Sequence, residues 1–160
     1  MLVFLFLLGL ALCAVSPSEE QEVEPWKNNC PMSWSFYNGR SYLYVSTHLT
    51  WADAELHCVS LGANLVSIHS KEEHLLVRSL IKNFDPAEGY TWIGLNDIYK
   101  EGRCMWSDGC AAKFFYWHSG QPDNNRGNED CGHTNFHQKW NDRPCSATSP
   151  SVCASRITCV

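Results

Sequence analysis

Five side chains between positions 121 and 142 carry hard oxygen donors: Gln121, Asp123, Glu129, Asn141 and Asp142. Three carboxylates and two amides suit Ca2+, which takes roughly six to eight oxygens in a flexible shell. Such a set slightly overcompensates the ion and leaves coordination positions open to the oxygens of a ligand. Any polar loop can hold these residue types by chance, so their arrangement has to carry the argument. Other chemistries find less support. The chain has no Gly-x-Ser-x-Gly, no His-Glu-x-x-His and no Walker-type loop. Its seven histidines are scattered. Carboxylate pairs can hydrolyse glycosides, but these carboxylates are better used on calcium, and no enzyme is expected.

The elements that must position this loop can be read from caps and periodicity. Thr50 caps a helix with Asp53 three residues on, and Gly62 suits the position just past its end. Trp51, Ala54, Cys58 and Leu61 recur on one face of it. A second helix opens at Ser70, where Ser-Lys-Glu-Glu forms a capping box with Glu73, and Asp85-Pro86 stops it. Leu76, Leu80, Ile81 and Phe84 supply its apolar stripe. Short strands are expected at Ser41–Val45, Trp92–Leu95, Cys104–Trp106, Cys131–Phe136 and Ser151–Ala154. The segment from Asp108 to Lys139 is rich in Gly, Asn, Asp and His, and a loop that long needs a reason, usually function or a bound ion. Two helices, short antiparallel strands and one long loop make an α+β fold.

Residues 2–12 are apolar, with no charged side chain before Glu19, and the run is too short to span a bilayer as a helix. Small residues follow it. Residues 1–16 therefore read as a signal peptide, 17–29 as an acidic leader and 30–160 as one domain of a secreted, extracellular protein. No later segment approaches transmembrane length. The net charge of -5, without a basic run, argues against nucleic-acid binding. Of the nine cysteines, all but Cys13 lie past the signal peptide, and their even number reads as a disulfide framework. No Asn-x-Ser/Thr sequon is present.

Several motifs follow one another in order: Trp92-Ile93-Gly94-Leu95, Glu101-Gly102 with Trp106-Ser107-Asp108-Gly109, Trp117 before Gln121-Pro122-Asp123, Glu129-Asp130-Cys131, Trp140-Asn141-Asp142 and Pro144-Cys145. Together they resemble the C-type lectin-like domain family across nearly all of the chain past the leader. The resemblance implies Cys58–Cys153 and Cys131–Cys145 bridges. It makes Gln121, Asp123, Glu129, Asn141 and Asp142 both ligands of a calcium ion and contacts of a sugar, with Pro122 as a cis proline turning its neighbours toward the ion. A second, structural calcium would use Asp97, Glu101, Asn124, Glu129 and Asp130. Asn124 stands there where a carboxylate is common, which weakens that site, and Asp97 and Glu101 fit ordinary solvated loop charges equally well.

Within the family, Gln-Pro-Asp goes with galactose-type ligands and Glu-Pro-Asn with mannose-type ones. Strong galactose binders usually add an aromatic ring after the motif, and Asn124–Asn128 contains none. The resemblance thus implies a secreted lectin that binds galactose-type glycans on microbial or host surfaces, as in innate defence. One shallow site is weak, so useful avidity needs several presented together, as a homo-oligomer would do. Two other readings stand beside it: an ice-binding protein like the fish type II antifreezes, which share this fold and loop, and a calcium-poor domain that binds a protein.

Four cysteines lack partners implied by the resemblance, because relatives with a cysteine at position 30 pair it where this chain has Ser41. A Cys30–Cys159 bridge would close almost the whole domain. Cys104 and Cys110 would then join across the Ser107-Asp108-Gly109 turn, or Cys110 would serve an interchain bond.

Overall fold

The computed structural model describes residues 34–159. The expected signal peptide, the leader and Cys30 lie outside them. Eight strands form one sheet: β1 (Trp34–Tyr37), β2 (Arg40–Leu49), β3 (Ala63–Leu65), β4 (Thr91–Asn96), β5 (Met105–Trp106), β6 (Cys131–Phe136), β7 (Lys139–Arg143) and β8 (Ser149–Ser155). Helices α1 (Trp51–Ser60) and α2 (Lys71–Phe84) complete the α+β fold. The strand order is β1-β2-β8-β4-β6-β7, with β3 added to β8 and β5 to β4. The pairings are antiparallel except β4 with β8, which meet in parallel at Trp92 and Ser151.

Both helices begin where their capping residues place them. The Thr50 side chain accepts the Asp53 N–H and that of Ser70 accepts the Glu73 N–H, each cap contributing about 1 kcal/mol. Glu73 returns one carboxylate oxygen to the His69 N–H at 2.8 Å rather than to Ser70, and its other oxygen is taken. That oxygen accepts from the buried Arg40 guanidinium at 2.7 Å and from the Tyr42 hydroxyl at 2.9 Å. Arg40 also donates to the Ser67 and Ser155 carbonyls, so a single buried cation ties β2, the entry to α2 and the end of β8 together. Burial without a facing carboxylate would cost several kcal/mol.

The buried stripe of α2 is His74, Val77, Leu80 and Ile81. It is rotated from the expected one: Phe84 is 54 % exposed and stacks on Tyr44 at the rim, with ring centroids 5.7 Å apart. His74 is tolerated in the stripe because both ring nitrogens are satisfied. Nδ1 lies 3.1 Å from Trp140 Nε1, which can only donate, so Nε2 carries the proton to the Gln138 carbonyl, also at 3.1 Å. On α1, Trp51, Ala54 and Cys58 are buried as expected, while Leu61 caps the helix end and is 45 % exposed. Gly94 lets β4 pass close to its neighbours: a Cβ there would meet the Leu65 carbonyl and Ser107 Oγ at 2.7 Å.

Bridges Cys58–Cys153 and Cys131–Cys145 are formed, the first joining α1 to β8 and the second joining the start of β6 to the chain after β7. The third corrects the expected map. Cys110 pairs with Cys159, their Cα atoms 5.3 Å apart, so neither Cys30–Cys159 nor Cys104–Cys110 exists, and Cys110 is not available to another subunit. The reason is geometric. Cys110 faces the pocket lined by His69, Phe114 and Ile157, where Cys159 arrives. Cys104 turns to the other side, beside Asp97, Trp117 and Asp142, and is the free cysteine among the described residues.

Candidate functional site

The oxygen donors converge because three strand ends meet. β4 ends in Asn96 and runs into Asp97, β6 is preceded by Glu129-Asp130, and β7 carries Asn141-Asp142. Antiparallel pairing sets Cys131 against Arg143, Gly132 against Asp142 and His133 against Asn141. The Cys131–Cys145 bridge locks that register. β7 is anchored from beneath by Trp140, which is fully buried and met edge-on by Trp106, Phe114 and Trp117. Truncating such a side chain costs about 3–5 kcal/mol. The backbone of residues 116–118 zips onto Trp140, through Trp140 N–H to the Tyr116 carbonyl and His118 N–H to the Trp140 carbonyl. The Gln121 N–H then donates to the His118 carbonyl. The Gln121 segment is thereby tied to β7, and the Gln121–Pro122 peptide is cis.

Two acidic clusters result. Asp123, Glu129 and Asp142 bring carboxylate oxygens within 4.8 Å of one another, and so do Asp97, Glu101 and Asp130. The first is shaped by backbone donors. Asp142, 4 % exposed, accepts the Asp123 N–H at 3.2 Å and the Asn124 N–H at 2.8 Å. Glu129 accepts the Asn125 N–H at 3.0 Å. Gln121 turns its Oε1 to the Asp123 N–H at 3.1 Å. Asn124 links the clusters: its amide nitrogen donates to Glu101 at 2.5 Å and its oxygen accepts the Glu129 N–H. Asn124 adopts φ 44°, Arg126 φ 60° and Gly127 φ 67°, so the loop tip is a succession of left-handed turns.

Like charge is crowded here. Burial, then the neighbouring Asp142 and Asp123, hold the Glu129 carboxyl above its ordinary range, against the pull of the Asn125 N–H. Burial, then Asp130 and Asp142, raise Asp97, against the Gly102 N–H. A cation between the carboxylates removes that penalty.

The donor set passes a test of fit for such a cation. Asn141 Oδ1 is enclosed and has no hydrogen-bond partner, whereas its Nδ2 donates to the Asp142 carbonyl at 2.6 Å and meets His133 Nε2 at 3.2 Å. An enclosed carbonyl oxygen without a donor costs about 1–3 kcal/mol, which a metal ion can offset. His133 was not distinguished from ordinary strand residues in the sequence. Only its place two residues past Cys131, opposite Asn141, could have pointed to it. Of the rings on β6 and the turn after it, His133 is fully buried, while Phe136 and His137 pack on His118, with centroids 5.1 and 5.0 Å from it.

Comparison with known proteins places these features in a wider set. Residues 47–155 match the model of the Lectin C-type domain. The chain is 35 % identical to the galactose-specific lectin nattectin of Thalassophryne nattereri, over 81 % of this chain and 82 % of that one. It is 39 % identical to the lactose-binding lectin l-2 of Anguilla japonica, over 80 % and 79 %. The fold is similar to that of herring type II antifreeze protein, with TM-score 0.72 and 35 % identity over 81 % of this chain and all of that one.

Proposed function

The chain belongs to the C-type lectin domain family, a carbohydrate-binding family, and from that premise we propose that it is a secreted, calcium-dependent lectin for galactose-type glycans. Gln121, Asp123, Glu129, Asn141 and Asp142 would hold the ion. The observation that carries the reading is the unpartnered Asn141 Oδ1 beside the crowded carboxylates Asp123, Glu129 and Asp142. Bound there, calcium supplies open coordination positions for a vicinal pair of sugar hydroxyls. The protein does the orienting. Carboxylates accept hydrogen bonds from those hydroxyls and the amides donate to them, and bonds to a charged acceptor are the stronger kind.

Preference for galactose rests on the order of the motif. Gln121 places an amide and Asp123 an acid where mannose-type members have the reverse, which exchanges the donor and acceptor sides and suits an axial 4-hydroxyl. The two lectin relatives named above are similar in overall sequence and are described as galactose-specific and lactose-binding. Asp97, Glu101 and Asp130 would take a second, structural calcium. Asn124, a neutral amide where a carboxylate is common, would weaken it, and its oxygen also accepts the Glu129 N–H.

Ice binding is the second reading, favoured by the similarity to the herring antifreeze fold. The loop tip argues for sugar instead. It carries Arg126 and takes positive φ at Asn124, Arg126 and Gly127, which does not form a flat repeating face. A glycan array probed with and without a chelator decides: galactose-terminated glycans bound only in calcium support the lectin. Thermal hysteresis at millimolar protein, abolished by chelator, with an empty array would support the other.

A further inference from the structure

We infer that His133 is a positioning residue for the proposed calcium site, fixing which end of the Asn141 amide is left free for the ion. The consequence for calcium rests on the function proposed above. The orientation itself rests on hydrogen bonds. His133 Nδ1 lies 3.0 Å from the Thr134 carbonyl, which can only accept, so Nδ1 carries the ring proton and Nε2 presents a lone pair. Nε2 faces Asn141 across the β6–β7 pair at 3.2 Å. The other acceptor at that end of the amide is the Asp142 carbonyl at 2.6 Å. Both amide protons are thus committed, and Oδ1 is left enclosed and without a donor.

Turning the amide over would set Oδ1 against two acceptors and present an N–H where a cation needs an oxygen. The ring cannot swing away to permit this. It is fully buried, packed on Tyr90 at 4.6 Å and edge-on to Trp92 at 6.2 Å between centroids. The role resembles that of hydrogen-bond partners behind metal ligands in general, whose loss weakens metal binding by about 10–100-fold.

The test compares His133→Phe, which keeps a buried ring but no acceptor, with His133→Gln, whose carbonyl can accept from Asn141. Calorimetric calcium titration of the intact secreted chain should show affinity about tenfold weaker for His133→Phe. For His133→Gln it should lie within about threefold of the wild type. Thermal midpoints in chelator identify any loss due to misfolding. Nitrogen-15 spectra of the calcium-free wild type should show the Nδ1–H tautomer of His133 and slowed exchange of the Asn141 side-chain protons. Equal calcium affinity in wild type and His133→Phe would overturn the role of His133. A proton on Nε2 in the wild type would overturn it whether or not calcium binds. A wild type with the stated tautomer that binds no calcium would contradict the calcium reading and leave the amide orientation standing.

Discussion

Asp142 accepts the backbone N–H groups of both Asp123 and Asn124, so the carboxylate near the end of one strand holds the loop that carries Gln121, Asp123 and Glu129. In the proposed calcium site, ligand and loop support would be one residue. Asp142→Asn keeps the shape and removes the charge. It is expected to weaken calcium binding by at least about tenfold and to lower the calcium-free thermal midpoint as well. Calorimetry and thermal melts of the same preparation check both effects, and an unchanged calcium-free midpoint would contradict the support role.

The Cys110–Cys159 bridge spans 49 residues. In the chain-entropy model a closure of that size contributes about 4 kcal/mol. The double change Cys110→Ser with Cys159→Ser should therefore cost roughly 3–4 kcal/mol in urea unfolding without producing a monomer from a dimer. Peptide mapping under non-reducing conditions should recover the 110–159 pair. Recovery of a Cys104–Cys110 peptide would contradict it.

Cys104 fills the place where the sequence suggested a disulfide partner. Burial, then Asp97, Asp142 and Glu101, raise its thiol to about 11, so a thiol reagent at neutral pH should modify it only after denaturation. Fast labelling of Cys104 in the folded protein would show that it is more open than the structure has it.

The convergence of the candidate site's carboxylates was legible because they lie in short motifs whose order survives without knowledge of contacts, and the helices were legible from Thr50 and Ser70, whose caps are local. The rest depends on partners far along the chain. Pairing of Cys110 with Cys159 needs the chain end to arrive beside Phe114 and Ile157. Strands β3 and β7 are too short or too polar to show a period of two. On α2, Leu76 packs half-buried against the core, Phe84 lies at the rim and His74 goes inside, because Trp140 offers His74 a donor that helical periodicity cannot reveal. His133 acquires its role only from the register that sets it opposite Asn141.

His74 gives the fold a definite pH dependence. Burial pulls its folded value from 6.5 down to about 4. The unfolded chain takes up the proton first, so the stability is present above pH 6.5 and is lost as pH falls from 6.5 to about 4. The amount is about 3 kcal/mol. The raised Asp97 and Glu129 act in the opposite sense in calcium-free protein, so the wild type is best compared with His74→Gln. The stability difference between the two should shrink by about 3 kcal/mol across that window. Parallel curves would contradict a neutral, buried His74.

The most direct measurement of the central claim is retention on immobilised galactose. The wild type should bind the resin in calcium and elute with either free galactose or chelator, and mannose should elute it less well. Gln121→Glu with Asp123→Asn should reverse the ranking of the two sugars. Retention undiminished in chelator, or elution by mannose ahead of galactose from the wild type, would contradict the account.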